Sequence, residues 1–394
     1  MSASLPFRPG DPVPLFRARA SNGNASYDFS SAGGRYVVLC LLGSAAPEAG
    51  RQAMAAVSGQ RHLLDDRKSS FFGVSIDPED ETEGRLREAL PGIRFFWDDD
   101  RTISRSFGAL REESGGKSAA YRPYWLLLDP MLRVLDVGRL AEAERLLRTI
   151  EALPPIDAHA GCEVHAPVLV LPRVFEPEFC RELIALYERH GGRQSGFMRE
   201  VGGKTVTVLD TKFKRRADYD IAEEAVRNAT RERIRRRVLP EIEKAFHFKV
   251  TRMERYIVAC YDSDTAGHFR AHRDNTTKGT AHRRFAVTIN LDAEAYEGGD
   301  LRFPEFGTRT YRAPTGGAVV FSCSLLHEAL PVTAGRRYAF LPFLYDEAAA
   351  RVRFENNRYL AEGVGEYRLG AVASAADGRS GGRHSRPSPD AGAA

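Results

Sequence analysis

His272-Arg273-Asp274, followed by His327 and Arg337, is the stretch of sequence that decides the fold of the C-terminal half. On an extended strand, side chains two positions apart point the same way, so His272 and Asp274 share one face. Two imidazoles and one carboxylate can cover one face of a divalent iron and leave its other positions open. The spacing therefore predicts a metal site with His272, Asp274 and His327 as ligands.

Strand patterns surround these residues. Residues 318–323 form an apolar run shortly before His327, and a strand, turn and strand pattern separates the two histidines. Arg337 opens another apolar run, which extends to Tyr345. A lone guanidinium at the start of such a strand needs a carboxylate. If no side chain supplies one, a dicarboxylate ligand would do so through the bidentate geometry that arginine favours.

Three further motifs accompany this pattern. They are Tyr256-Ile257-Val258-Ala259-Cys260-Tyr261, Tyr296-Glu297-Gly298-Gly299-Asp300-Leu301, and Pro331-Val332 with Gly335. Together with the histidines and the arginine, they resemble the iron(II)- and 2-oxoglutarate-dependent oxygenases, most closely the prolyl 4-hydroxylase-like branch. The resemblance extends from residue 168 to residue 368. It implies a double-stranded β-helix, or jelly roll, with covering helices, in which His272, Asp274 and His327 hold the iron.

The same resemblance implies a co-substrate pocket and a reaction. Arg337 stands where the family holds the distal carboxylate of 2-oxoglutarate, Tyr261 is a second contact, and Thr288 is a candidate for the same pocket. Ferrous iron, 2-oxoglutarate and O2 are then required, with ascorbate as reductant. The reaction hydroxylates an aliphatic carbon, expected in a prolyl or other residue of a peptide or protein, or in a small molecule, and releases succinate and CO2. Arg273 and loop 262–267 are expected to select the substrate.

The first third of the chain has a different pattern. Apolar strand patterns at 36–42 and 70–76 alternate with helical patterns at 48–64 and 81–90. This alternation predicts an α/β sandwich. With the opening motif Gly10-Asp11-Pro12-Val13-Pro14, the segment resembles a peroxiredoxin or thioredoxin-like, that is redoxin-like, domain.

The segment departs from the peroxiredoxins at their reactive site. Those enzymes carry a cysteine at the start of the helix after the first long strand, where the helix dipole lowers its pKa. Residues 44–50 contain no cysteine, and Cys40 lies upstream within the strand pattern. We therefore expect a peroxidase-inactive domain that serves for protein contacts or substrate presentation.

The two resemblances divide the chain. We expect a redoxin-like domain at 1–152, a linker at 153–167, an oxygenase domain at 168–370 and a tail at 371–394. The fold class is thus α/β plus α+β. Helical patterns at 176–189 and 221–245, the second broken by Pro240, predict the covering helices. The tail is small, polar and rich in Gly, Ser and Pro, so we expect it to be disordered.

Composition narrows the class of protein. The net charge of +4 is too small to indicate nucleic-acid binding. Basic clusters occur at 212–216 and 231–237. The second is read as a solvated helix face, with an electrostatic rim for an acidic substrate as the alternative. No apolar run approaches the roughly 20 residues that span a bilayer. We therefore expect no membrane partner. His268 and His282 are expected to be structural.

Five scattered cysteines, odd in number, argue against a disulfide framework or a zinc knuckle. The first 14 residues lack the pattern of a secretory signal. We expect a cytoplasmic enzyme. Two alternatives from other classes stay open, namely a non-catalytic metal-binding sensor or interaction protein and a thiol peroxidase with an accessory barrel. The anchor at Arg337 speaks against the first, and the missing cysteine after Gly43 speaks against the second.

Overall fold

The structure of the protein, a computed structural model, describes residues 5–112 and 119–368; the predicted disordered tail lies outside these residues. The strands of the N-terminal part are β1 Arg17–Ala20, β2 Tyr27–Asp28, β3 Tyr36–Gly43, β4 Ser69–Ser75, β5 Ile93–Trp97, β6 Leu110–Glu112, β7 Ala119–Tyr121, β8 Tyr124–Leu128 and β9 Val134–Arg139. Its α-helices are α1 Glu48–Gly59, α2 Pro78–Thr82, α3 Thr102–Ser106 and α4 Ala143–Ala152.

Seven of these strands form one sheet, in the order β2-β1-β5-β4-β3-β8-β9. Strands β3, β4 and β5 pair in parallel, and β8 pairs antiparallel to β3. Every residue of β3 is buried, because apolar clusters cover both faces of the sheet. Helices α1 and α4 contribute to one of these clusters. The predicted thioredoxin-like architecture is confirmed.

Two helical predictions in this part are wrong in extent. Helix α1 ends at Gly59 and does not reach residue 64. The predicted helix at 81–90 is absent from the described chain, since α2 ends near the start of that range. Gly84 has a φ of +64°, a left-handed conformation that ends a helix. Within 81–90 only Leu86 is buried, so little apolar surface would reward a continued helix.

Cys40 lies in the middle of β3 and is fully buried. Burial raises the pKa of its thiol well above the usual value, which disfavours the nucleophilic thiolate. We predict that peroxide consumption by the protein equals the buffer background and is the same in the Cys40→Ser variant. A coupled assay of hydrogen peroxide removal tests this. Turnover that Cys40→Ser abolishes would contradict the prediction.

The C-terminal part contains most of the strands. They are β10 Leu169–Leu171, β11 Arg193–Gln194, β12 Phe197–Val201, β13 Lys204–Val208, β14 Lys214–Arg215, β15 Ala217–Asp220, β16 Arg252–Glu254, β17 Ile257–Asp262, β18 His268–His272, β19 Phe285–Asn290, β20 Glu297–Gly298, β21 Leu301–Arg302, β22 Thr310–Tyr311, β23 Ala318–Ser322, β24 His327–Ala329, β25 Val332–Ala334, β26 Arg336–Phe340 and β27 Phe343–Tyr345. Its helices are α5 Pro177–His190, α6 Glu224–Arg237, α7 Leu239–Phe246 and α8 Glu347–Glu355.

Two antiparallel sheets face each other in this part. The larger has the order β10-β23-β19-β26-β17-β15-β11, with β16 and β27 attached, and the smaller has the order β14-β18-β24-β21-β22. An apolar cluster with Ala259 and Tyr261 from the larger sheet and Phe269 and Ala329 from the smaller lies between them. This is the predicted jelly roll.

Helices cover the outer face of the larger sheet. The largest apolar cluster joins Leu183 of α5, Ile234 of α6 and Ile242 of α7 to strand residues such as Val258 and Phe340. The helical predictions at 176–189 and 221–245 are therefore confirmed, including the interruption before Pro240. Among the described residues, no helix combines the length and the apolar character needed to cross a membrane.

Candidate active site

The two histidines of the predicted metal site face each other across one strand pair. Strands β18 and β24 are antiparallel, and their register places His272 opposite His327. Asp274 follows β18, where its backbone N–H donates to the carbonyl oxygen of Cys323 at 3.0 Å. One ligand atom from each of the three side chains lies within 4.8 Å of the other two. The strand register therefore brings together the three residues that the sequence singled out.

The orientation of both imidazoles suits metal binding. The Nδ1 atom of His272 lies 2.7 Å from the carbonyl oxygen of Arg270, and Nδ1 of His327 lies 3.0 Å from that of Leu325. A carbonyl can only accept, so each Nδ1 carries a proton, and each ring turns its Nε2 towards the carboxylate of Asp274. These Nε2 atoms lie 3.5 Å and 3.3 Å from the carboxylate oxygens of Asp274. The donor set fits a divalent iron.

Burial sets the protonation states of two of these residues. Burial, together with the neighbouring His327, lowers the pKa of His272 to about 4. Burial alone would raise the pKa of Asp274, but the two adjacent imidazoles outweigh it and hold that pKa well below its usual range. At neutral pH, His272 is therefore uncharged and Asp274 is ionised. These are the forms that bind a metal without first losing a proton.

Arg337 lies beside this centre as a buried cation. On β26 it pairs with Tyr261 of β17, and its guanidinium carbon lies 5.0 Å from the centre of the tyrosine ring. Arg337 is 2% exposed, and its Nε and Nη1 atoms have no hydrogen-bond partner among the described residues. Leaving a buried charge without a partner costs several kcal/mol. The cavity that Arg337 shares with His272 and Asp274 is therefore suited to an anionic ligand.

The other two predicted co-substrate contacts line the same cavity. Thr288 of β19 is 5% exposed there. The hydroxyl oxygen of Tyr261 accepts from Nη1 of Arg216 at 3.3 Å, and Arg216 is paired with Asp218 at 2.6 Å. Sequence reasoning missed Arg216 and Arg255, which also line the cavity. No local spacing indicates them, because two distant segments of the chain, at the β14–β15 and β16–β17 connections, bring them to the site.

His268 and His282 have partners outside the predicted ligand set. Nδ1 of His268 lies 2.8 Å from the carbonyl oxygen of Ala266. His282 is 1% exposed, and its Nε2 lies 3.2 Å from a carboxylate oxygen of Glu254. Both observations agree with the prediction that neither is a metal ligand.

The basic stretches divide between surface and interior. Arg233 and Arg237 on α6 both pair with Glu176, so this stretch is an ion-paired helix face, as predicted. Lys214, in the other basic cluster, points into the interior: it is 3% exposed and its Nζ donates to Ser195 Oγ at 2.7 Å. The period-two pattern of β14 turns this lysine inwards.

The expectation about substrate selection is not supported for the loop at 262–267. Asp262, Asp264 and Thr265 line a different cavity from the one that contains His272. Arg273 does border the cleft in front of the metal site, but its guanidinium is held by the Glu305 carboxylate at 2.8 Å. Substrate selection by Arg273 and by this loop stays a prediction.

Asp292 is a partly buried carboxyl whose pKa is displaced upwards. It follows β19, and burial raises its pKa to about 7 although the charge of Arg337 acts in the opposite direction. Between the usual pKa of 3.8 and about 7, the folded protein keeps a proton that the unfolded chain has lost. Stability therefore falls as the pH rises through this interval.

We predict that Asp292→Asn removes this pH-dependent loss of stability. The unfolding free energy of the variant minus that of the parent protein should rise by about 2 kcal/mol from about pH 4 to about pH 8. This figure allows for solvent screening of a partly exposed group. Chemical unfolding at both pH values measures the difference. The exposed Asp264→Asn provides the control. An identical pH dependence in the parent protein and in Asp292→Asn would refute the prediction.

Comparisons with known proteins agree with these two halves. Residues 256–345 match the family model of the 2OG-Fe(II) oxygenase superfamily, and residues 9–134 match that of the AhpC/TSA family. A PKHD-type hydroxylase of Azoarcus sp. (strain BH72) is 36% identical over 86 residues, which are 20% of this chain. The chain spans 38% of the length of that relative and 39% of a similar one from Pseudomonas fluorescens.

Among solved structures, a prolyl-4-hydroxylase of Pseudomonas putida matches with a TM-score of 0.35 at 17% identity; the match covers 48% of this chain and 96% of that one. The superfamily of the C-terminal match implies Fe(II) and 2-oxoglutarate, for which the donor set and the buried guanidinium are suited. The chain thus carries a 2OG-Fe(II) oxygenase domain, preceded by a thioredoxin-like domain of the AhpC/TSA family.

Proposed function

We propose that this protein is an Fe(II)- and 2-oxoglutarate-dependent dioxygenase that hydroxylates an aliphatic carbon of a prolyl or other residue in a peptide or protein. The balanced reaction consumes 2-oxoglutarate, O2 and a C–H bond and gives succinate, CO2 and a C–OH group. One observation carries the proposal. Two imidazoles and a carboxylate converge beside a buried guanidinium whose Nε and Nη1 atoms have no hydrogen-bond partner among the described residues.

The residues divide the work between them. His272, Asp274 and His327 would hold the iron, which when bound supplies the site where O2 oxidises the keto acid and then the substrate carbon. Arg337 would bind the distal carboxylate of 2-oxoglutarate through paired N–H donors. The hydrogen bond from Arg216 fixes the hydroxyl of Tyr261 at the side of this pocket.

Apolar side chains complete the pocket. Leu301, Phe321 and Phe343 line the cavity together with the charged residues. They exclude water, which strengthens the attraction between the guanidinium and a bound carboxylate. Ascorbate is the reductant that we expect to keep the iron ferrous between turnovers.

The division of the chain and its location belong to the same proposal. We assign residues 1–152 to a peroxidase-inactive redoxin-like domain, 153–167 to a linker and 168–370 to the catalytic domain. A cytoplasmic location is supported by five cysteines that are all free thiols.

Succinate release tests the proposed function. The full chain is incubated with Fe(II), 2-oxoglutarate, ascorbate and O2, with and without a library of peptides and free amino acids. We expect succinate to depend on iron, to rise with some of the peptides, and to accompany a product one oxygen atom heavier. A non-catalytic sensor would bind iron and 2-oxoglutarate and release no succinate, and that result would reject the proposal.

A further inference from the structure

The N-terminal domain contacts the residue that separates two of the predicted iron ligands. Nη2 of Arg273 donates to the carbonyl oxygen of Ser30 at 3.3 Å, while Glu305 binds the same guanidinium at 2.8 Å and 3.1 Å. The side chains of Arg273 and Glu305 are each 11% exposed. The two domains thus meet through a largely buried, charge-assisted contact next to the metal site.

Two glycines allow the domains to approach closely at this point. A Cβ atom on Gly34, whose φ is +86°, would lie 2.4 Å from Cβ of Pro304. A Cβ atom on Gly33 would lie 3.1 Å from Cγ of Glu305. The backbone of the N-terminal domain therefore packs directly on the residue that holds Arg273.

The predicted linker extends the same interface. Asp157 accepts hydrogen bonds from the backbone N–H of Thr308 at 2.5 Å and from its hydroxyl at 2.9 Å. At the other end, the hydroxyl of Tyr36 donates to the carbonyl oxygen of Pro154 at 3.0 Å. The linker is thus attached to both domains, which fixes one relative to the other.

A cleft of about 920 Å³ lies between the two domains. The oxygenase domain lines it with His272, Asp274 and Phe213, and the N-terminal domain lines it with Asn24 and Ser26 among others. Its volume is near the upper end of the roughly 300–1,000 Å³ of ligand sites, so it is large for a single amino acid. A substrate that fills the cleft on its way to the metal must touch both domains.

The wall from the N-terminal domain has no unpaired charge. Arg17 and Asp28 form an ion pair at 3.0 Å. The side-chain oxygens of Asn22 and Asn24 accept from backbone N–H groups of their own turn, whereas their NH2 groups have no partner among the described residues. Free amide donors without net charge match the carbonyl groups of a polypeptide backbone.

The oxygenase domain contributes aromatic rings to the cleft. Phe197 and Phe213 lie 4.6 Å apart, centre to centre, and both line the cleft. Rings of this kind bind apolar side chains and the flat faces of proline. The geometry points to a composite substrate site, in which residues 22–31 of the N-terminal domain select an extended polypeptide segment for the oxygenase domain. This inference rests on the proposed function and deepens it.

Ser26→Trp and Ser58→Trp form a matched pair for the test. Ser26 lines the cleft and its hydroxyl makes no hydrogen bond in the described structure, so tryptophan fills space there and removes no contact. Ser58 is exposed on α1, outside the cleft. Both full-length variants are incubated with Fe(II), 2-oxoglutarate and a pool of random peptides of about ten residues, which extend to about 33 Å. Mass spectrometry identifies the hydroxylated sequences.

We expect Ser26→Trp to lower peptide hydroxylation by about tenfold or more and to change which sequences are hydroxylated, because the added ring clashes with part of the pool. Ser58→Trp should match the parent protein. If Ser26→Trp hydroxylates the same peptides at the parent rate, the composite site is overturned while the proposed function stands.

Photocrosslinking tests the site without turnover. A benzophenone amino acid replaces Ser26 or Ser58, and the protein is irradiated with a biotinylated peptide pool, Mn(II) and 2-oxoglutarate. We expect peptide adducts at position 26 and none at position 58. If the parent protein hydroxylates no peptide, the proposed function fails and crosslinking alone decides. Adducts at position 26 then support the composite site, and their absence, or equal adducts at both positions, overturns it.

Discussion

Asp274→Ala should lower iron-dependent succinate formation by at least about a hundredfold. Asp274 supplies the one anionic donor of the predicted ligand set, and both histidine Nε2 atoms lie within 3.5 Å of its carboxylate. Alanine leaves two neutral imidazoles, which bind a hard ferrous ion weakly. His272→Ala should have an effect of similar size, because it removes one of the two nitrogen donors.

The measurement needs a readout of metal binding besides activity. Titration with Mn(II), followed by its paramagnetic resonance signal, gives the affinity of the site in each variant, and circular dichroism checks folding. Asp264→Ala, an exposed aspartate in the loop before β18, is the matched control and should retain parent affinity and turnover. Parent-level succinate formation in Asp274→Ala would eliminate the assignment of the ligands.

The sequence was sufficient to single out three side chains that the fold brings together, because their positions depend on local rules. The period of two places His272 and Asp274 on one side of the chain, and an apolar strand shortly before His327 indicates where the third side chain lies. The pairing of β18 with β24, which sets these residues opposite each other, is consistent with that prediction. Whether the three bind iron stays a prediction.

The residues that sequence reasoning missed depend on contacts between distant segments. Arg216 and Arg255 enter the pocket from the β14–β15 and β16–β17 connections, and Asp218 pairs with both. Nothing in the spacing of three separate residues predicts such a cluster.

The same limit applies to the cleft. The sequence predicted both domains and their order, but the wall at residues 22–31 exists only because Gly33 and Gly34 allow close packing on the second domain. For the helix predicted at 81–90, a local signal was present in Gly84, and its left-handed conformation outweighed the helical pattern.

Arg337→Ala should raise the KM for 2-oxoglutarate by about thirtyfold to a few thousandfold, which corresponds to about 2–5 kcal/mol for loss of one partner of a buried charge pair. The guanidinium is 2% exposed, and two of its nitrogen atoms have no partner among the described residues. In the protein without co-substrate, this buried cation lowers the free energy of unfolding. Its removal should therefore leave the unfolding free energy unchanged or raise it.

A raised KM for 2-oxoglutarate without a loss of unfolding free energy distinguishes a ligand anchor from a structural arginine. Arg336→Ala is the matched control, because Arg336 is the preceding residue on β26, is 52% exposed and pairs with Asp262 at 2.8 Å. Strand alternation directs the side chain of Arg336 away from the pocket. The KM of Arg336→Ala for 2-oxoglutarate should therefore equal that of the parent protein. Steady-state succinate release gives both KM values, and urea unfolding gives the stabilities. A destabilised Arg337→Ala protein with a parent KM would mean that Arg337 supports the fold and does not bind the diacid.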